Sequence, residues 1–466
     1  MSHKKRREAR AAQAPFPIGS VHRVHVKALD RHPAALAATG SGQEMRVPGG
    51  VPGDVLDVEV EAIGRSDLWT RIVSIVKPSP SRIEPPCPVL DRCGGCPWQP
   101  VRYREQLAWK SRMVREALDR PGLEGAEIHD VVGVSPPVGY RTKLQMPVGG
   151  EPGALRLGFY APRSHDLVPV ADCVVQHPLA EQVRKAVVSI LDRHHLAPYD
   201  EATRTGLLRT VLVRVAEGTG EVGAVLVVSD LAAFDWALLA AELTAIPDLT
   251  GVWVNENAPP SSGIGGNAVL GEKTVHLSGA RRLRDEVAGL AFQRNPMGFF
   301  QTNHRATVAL IDAMRALMPE TIGTLLDLYA GGGLFTHALC SRARDLHLVE
   351  AHPDAVAASR ATLRDAGRAA AIHLGRAEDV LPRLAEAGLR PDAVVCDPPR
   401  AGMDPAALAA LAAMAPKRIV LVSCHLKAFV RDVEAFVERG YALSEVRAID
   451  MFPHTPHVET AGLLIR

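Results

Sequence analysis

Three patterns of apolar and polar positions follow one another along the chain. Between residues 17 and 79 they alternate: VHRVHVKAL at 21–29 and DVLDVEVEAI at 54–63 have period two, and TRIVSIV follows at 70–76. Period two sends successive side chains to opposite faces of a strand. VPGGVPGD at 47–54 is turn chemistry. Short strands at this spacing predict a small β-barrel. A Pro/Ser linker, KPSPSRIEPP, closes the stretch at 77–86. Residues 80–290 are mixed. RYREQLAWKSRMVREALDR at 102–120 is helical in pattern, and KLQMPV, LRLGFYA, TVLVRVA, EVGAVLVVS and GVWVNEN read as strands. They predict an α+β central domain whose strand order the pattern leaves open. From 291 to 466, short apolar runs (TLLDLY, LHLVE, AAIHL, DAVVCD, RIVLVSC) alternate with Ala/Leu-rich helical stretches. That alternation predicts an α/β domain of Rossmann type, with a parallel sheet.

Composition adds few constraints. At 466 residues the chain exceeds what one core usually holds, which agrees with several domains. Lys+Arg number 53 and Asp+Glu 52, so any basic surface must be local. Residues 1–16 form a basic tail, MSHKKRREARAAQAPF, expected to be disordered. No run reaches the roughly 18 apolar residues of a membrane span, and the N-terminus has no apolar signal region. A cytoplasmic protein with no membrane partner is expected, and a monomer. In a reducing compartment, the seven cysteines are left for metal, catalysis or core packing.

Candidate chemistry clusters in the last third. TLLDLYAGGGLF runs from a strand through a glycine turn into a helix, and Gly331 and Gly333 allow close backbone approach to a ligand. Glu350 ends the next strand, where a carboxylate can accept ribose hydroxyls. The turn lacks a Walker lysine, which argues for a nucleoside cofactor and against a triphosphate. Glu378 and Asp379 follow the third strand; they suit either an adenine amino group or simply a helix N-terminus. Asp397-Pro398-Pro399-Arg400 follows the fourth, at a strand end where ligands sit in doubly wound sheets.

Cys424 lies just after the fifth strand and before a helix. The helix N-terminus is expected to lower its pKa and make thiolate available as a nucleophile. Glu459, at the start of the last strand, is a candidate general base. Cys396 alternates with Asp397 and is expected in the core, as is Cys340. Near the front, Cys87, Cys93 and Cys96 form C-x5-C-x2-C, with Cys173 far downstream. Such thiols suit zinc or an iron–sulfur cluster, and the spacing does not decide between them.

The strings GFFQTN (298–303), DLYAGGGLF (327–335), CDPPRAG (396–402), VSC (422–424) and DMFPHTPHVE (450–459) together resemble the bacterial RNA 5-methyluridine methyltransferases. Residues 17–79 resemble a TRAM domain, an OB-like RNA-binding barrel, and the cysteine set resembles that family's [4Fe-4S] site. The resemblance implies a class I methyltransferase domain over 291–466 and an iron–sulfur site in 80–290. It assigns Gln301, Tyr329, Glu350 and Asp397 to S-adenosylmethionine, and Cys87, Cys93, Cys96 and Cys173 to the cluster. Cys424 becomes the nucleophile toward uracil C6, and Glu459 the base that removes the C5 proton. It favours 23S rRNA over tRNA as the substrate. The chain departs from the family at His425 and Leu426, where Asn-Pro is usual, and at Ala330 and Leu334 in the glycine turn. Two other readings compete: an adenine amino-group methyltransferase, which needs no thiolate, and a non-catalytic ribosome-assembly factor.

Overall fold

The computed structural model describes residues 16–40, 42–64, 67–162, 164–258 and 268–466. The basic tail expected over 1–16 lies, apart from Phe16, outside the described residues. The chain forms two compact units. One runs to Glu116 and includes Phe452–His457; the other holds Ala117–Met451 and Val458–Arg466.

In the first unit, five strands close a barrel in the order Val21–Ala28, Ala34–Thr39, Glu44–Pro48, Leu68–Lys77, Val55–Ile63. Alternation decides what faces inward: Leu56, Val58 and Val60 are fully buried, with Val24, Met45 and Val47 against them. Two of the strands, AALAAT and EMRVP, escape the period-two reading because alanine carries little polar contrast and both runs are short. The Pro/Ser linker is pinned to the barrel. Buried Asp54 accepts from the Arg82 guanidinium at 2.6 Å and from the Val51 and Ser79 amides at 2.8 Å each. The helix Tyr103–Leu118 begins in this unit and holds the Phe452–His457 segment. Gln106 binds the carbonyls of Trp98 and Val101 and reaches Nδ1 of His454, and buried Lys110 donates to the Phe452 carbonyl at 3.1 Å.

The second unit contains a seven-stranded mixed sheet. Its order is Lys273–Gly279, Leu249–Glu256, Glu221–Val228, Leu208–Ala216, Lys143–Glu151, Ala154–Tyr160, Leu167–Pro169. All of the strand-like stretches read from the central sequence fall in it. Beside it, the hairpin Leu283–Val287 and Leu290–Arg294 carries a buried ion pair, Asp285 with Arg294. The Arg294 guanidinium also sits 4.2 Å from the Phe300 ring, just ahead of Gln301. Asp285→Asn should leave a buried guanidinium without a counter-charge and lower stability by about 3–5 kcal/mol. Denaturant unfolding of the full chain measures it.

The C-terminal sheet has seven strands in βα order: β1 (Ile322–Leu328), β2 (Ala343–Glu350), β3 (Ala371–Leu374), β4 (Ala393–Cys396), β5 (Arg418–Ser423), β6 (Ala442–Ile449) and β7 (Glu459–Ile465). They lie in the order β3-β2-β1-β4-β5-β7-β6, and the two-residue strand Glu127–Ile128 adds to the β6 edge. β1 to β5 are parallel, and β7 runs antiparallel between β5 and β6. The strand order reverses at β1 and β4, which opens a crevice at their carboxyl ends. The helices α1 (Leu334–Leu339), α2 (Pro353–Asp365), α3 (Ala377–Glu386), α4 (Pro405–Met414) and α5 (Leu426–Val437) follow β1 to β5 in turn. No helix of the described residues is long and apolar enough to cross a membrane.

Candidate active site

At the carboxyl ends of β1, β2 and β4 lies a cavity of about 600 Å³, lined by Tyr329, Glu350, Glu378, Asp397, Met403 and Arg431 among others. That volume suits a nucleoside-sized ligand. The β1–α1 turn bounds this end of the sheet. Tyr329 takes a left-handed φ of 60°, unusual for a side chain of that size, and Gly331 and Gly333 follow at 53° and 81°. A Cβ on Gly333 would stand 3.1 Å from the Ser359 hydroxyl, so the turn packs tightly on α2.

Glu350, at the end of β2, is 8% exposed. One of its oxygens accepts from the Gly331 amide at 2.8 Å and the other from the His352 amide at 2.7 Å. Each oxygen keeps a lone pair for a ligand hydroxyl. Glu378 stands in the first turn of α3 and lines the cavity, paired with Arg376 at 2.5 Å. The Asp397 loop is held from α5. Buried Asp432 accepts from the Met403 amide at 2.7 Å and pairs with Arg431, which packs under Gly402. Gln301, Gly331 and Gly333 are not among the residues lining this cavity. Gln301 is buried, two residues ahead of Asn303, whose side chain caps the next helix.

Cys424 and Glu459 are brought together by strand register. β5 and β7 pair Ser423 with Thr460, so the next step sets Cys424 level with Glu459. Side chains directly opposite stand about 5 Å apart at Cβ. Glu459 is 2% exposed and Cys424 half-buried. This overturns the expectation of a ready thiolate. Burial, Glu459 and Asp397 push the Cys424 thiol up to about 11, against which Arg400 and a backbone hydrogen bond pull it down. Cys424 also precedes the cap residue His425, which makes no side-chain capping bond. The helix end is therefore outweighed by burial first and by the two carboxyl groups after it.

Sequence reasoning missed Asp327. It reads as one more residue of a buried strand, yet it lies beside Asp397 and accepts from the amide and hydroxyl of Thr336 at 3.0 and 2.6 Å. Its Oδ1 has no hydrogen-bond partner among the described residues. Burial raises Asp327 to about 7, and burial together with Asp327 raises Asp397 to about 7. Burial, then Asp397, raises Glu459 well above the usual carboxylate range. All three acids are thus shifted toward the protonated form. Cys396 is fully buried, and Cys340, which follows the wholly buried helix α1, is buried too, both as expected of core residues.

Cys87, Cys93 and Cys96 are half-buried, flank the single turn Leu90–Cys93, and form no disulfide. Burial raises the Cys93 thiol, the Gly95 amide lowers it, and Cys87 raises it further, so those two sulfurs are close enough to interact. Cys173 belongs to the other compact unit and is also half-buried. Among the described residues, no group of three or more His, Cys, Asp or Glu side chains is arranged to hold a metal. The donor chemistry of Cys87, Cys93 and Cys96 fits a thiolate-bound metal group.

A doubly wound sheet of this order, with an acidic residue ending β2 beside a nucleoside-sized cavity, defines a domain built for a nucleoside cofactor. Residues 281–466 match the family model described as tRNA (Uracil-5-)-methyltransferase. An uncharacterized RNA methyltransferase of Clostridium tetani is 33% identical over 423 residues, covering 90% of each chain. Another, of Halalkalibacterium halodurans, is 32% identical and covers 97% of this chain and 98% of the relative. The crystal structure of Pyrococcus abyssi tRNA (uracil-54, C5)-methyltransferase with S-adenosyl-L-homocysteine shares the fold, with a TM-score of 0.73 at 23% identity, covering 95% of this chain and all of that one. The chain belongs to the RNA (uracil-5)-methyltransferase family, which transfers a methyl group from S-adenosylmethionine to C5 of uracil in RNA.

Proposed function

We propose that the chain methylates C5 of a uridine in 23S rRNA through a covalent Cys424–C6 adduct, with Glu459 removing the C5 proton. The observation that carries this reading is the register that sets Cys424 level with buried Glu459 at the end of β5 and β7. Uracil C5 is a poor nucleophile. Addition of the Cys424 thiolate at C6 places carbanion character on C5. S-adenosylmethionine, when bound, supplies an electrophilic methyl group, and Glu350, Glu378, Asp397 and Tyr329 line the cavity proposed to hold it. After methyl transfer, Glu459 as carboxylate takes the C5 proton. The electron pair of that C–H bond restores the C5–C6 double bond, and the C6–S bond breaks to release thiolate. Because both groups are raised in the free protein, each must give up a proton to solvent before its step: Cys424 before C6 is attacked, and Glu459 before it takes the C5 proton. The target base has to leave its stack to reach the thiol, which favours loop or single-stranded RNA.

The rRNA assignment is supported by the family resemblance of the closed barrel and the cysteine set; tRNA is the alternative. Parallel assays on rRNA and tRNA fragments, reading 5-methyluridine by mass spectrometry, test it: methylation confined to tRNA overturns it. For the cofactor, Glu350→Ala is expected to weaken S-adenosylhomocysteine binding by about 2 kcal/mol, roughly thirtyfold, the scale of hydrogen bonds to a charged group. Calorimetric titration measures this, and unchanged affinity would remove Glu350 from the site.

Cys87, Cys93, Cys96 and Cys173 are proposed as the ligands of a [4Fe-4S] cluster that holds the fold. Four half-buried thiols outside any disulfide support it. Anaerobically purified protein should then carry about four irons per chain, and Cys87→Ser should lose iron and solubility together. A soluble, folded Cys87→Ser protein with wild-type iron content contradicts the assignment.

A further inference from the structure

The second unit carries another concavity, separate from the cofactor cavity. It measures about 560 Å³ and is lined by Arg282, Gln293, Val356, Arg360, Arg364 and Leu374 among others. Three arginines from two elements converge on it. Arg360 and Arg364 stand one turn apart on α2, and Arg282 enters from the chain just ahead of the Leu283–Val287 strand. No carboxylate is among the lining residues. Arg282 donates to the Ala357 carbonyl at 3.0 Å, which fixes its head against α2. Arg360 makes no ion pair among the described residues. The nearby acids do little to offset this charge. Asp365 stands 3.6 Å from Arg364 with both side chains exposed, and accepts from Gln293 at 3.0 Å; Asp354 is exposed in the first turn of α2. Leu374, 52% exposed, and Val356 add apolar surface to the groove.

Like charges at a four-residue helical spacing repel one another, and a third from a separate element adds to the repulsion. An anion spanning the groove relieves it, and guanidinium forks match phosphate oxygens. The chain carries a net charge of only +1, so this is local positive potential rather than a general basic character. The groove adjoins the cofactor cavity along the sequence: Pro353 follows His352, and Leu374 precedes Gly375, with one member of each pair lining each concavity. We propose that the groove binds backbone phosphates of the RNA strand that carries the target uridine, with Arg360 and Arg364 as principal contacts. This rests on RNA as the substrate and not on which RNA it is.

The test uses the full chain and a labelled single-stranded RNA of mixed sequence, with binding followed by fluorescence anisotropy across a salt series. For Arg360→Ala/Arg364→Ala we expect affinity to fall about tenfold near physiological salt. The slope of log affinity against log salt should shrink by roughly 1.4, the scale of two single-strand phosphate contacts. S-adenosylhomocysteine affinity and melting temperature should not move, since both side chains are exposed. Arg360→Lys/Arg364→Lys keeps both charges and should recover the slope. A double-alanine protein with wild-type affinity and slope overturns the proposal, as does a double-lysine protein that fails to recover the slope. Wild-type protein that methylates RNA while its binding ignores both variants removes the groove alone. Wild-type protein that binds no RNA removes the substrate reading with it.

Discussion

Cys424→Ala should abolish methyl transfer, by at least about four orders of magnitude, the scale of losing a covalent nucleophile. Cofactor binding should be untouched, because Cys424 is not among the residues lining the cofactor cavity. Folding should be nearly so, since the half-buried thiol fills no tight core position. Single-turnover transfer of labelled methyl to RNA, run beside a titration with S-adenosylhomocysteine, separates the two effects. Substantial residual transfer would mean that the uracil ring is activated without a covalent bond to this sulfur.

Glu459→Gln should separate thiol reactivity from turnover. Glu459 is among the causes that raise the Cys424 thiol, ranking after burial. Burial and Asp397 hold wild-type Glu459 toward its neutral form, which glutamine mimics, so iodoacetamide should alkylate Cys424 at close to the wild-type rate near neutral pH, with a gain only at higher pH, where the wild-type carboxyl ionises beside the thiol. Turnover should nevertheless collapse, because the amide cannot take the C5 proton, and a methylated Cys424–RNA adduct should accumulate. The wild-type pH dependence follows from the same group. A thiol raised to about 11 is protonated at neutral pH, so alkylation should rise steadily with pH through the neutral range. Alkylation that is already maximal at pH 7, or a Glu459→Gln protein that turns over normally, would contradict this arrangement.

Much of the fold could be read in the sequence where burial and period agree. β1, β4 and β5 are short apolar runs that are buried almost throughout, so they announce a covered parallel sheet. The barrel strand Val55–Ile63 alternates cleanly because one face meets the core. The Ala-rich strand Ala34–Thr39 has no such contrast, and the order of the central sheet is set by long-range pairing that no local pattern records. At the site, Cys424, Glu350, Asp397 and Glu459 could each be picked out because a strand end beside irregular chain exposes a polar group to a ligand. Their interactions could not. The state of the thiol depends on Glu459, 35 residues away in sequence and set opposite it by the antiparallel return of β7. For the same reason Asp327 stayed hidden: its importance comes from Asp397, just past the end of the neighbouring strand, and from Thr336 above it.

The covalent adduct is the central claim, and mass spectrometry of the intact protein tests it most directly. The protein is incubated with S-adenosylmethionine and a 5-fluorouridine-substituted RNA fragment from the large ribosomal subunit. Fluorine at C5 cannot leave as a proton does, so the reaction should stall after methyl transfer. The predicted species is the protein joined to RNA through Cys424, carrying the transferred methyl group and absent in Cys424→Ala. No adduct on any rRNA or tRNA fragment, with cofactor shown to bind, would contradict the account.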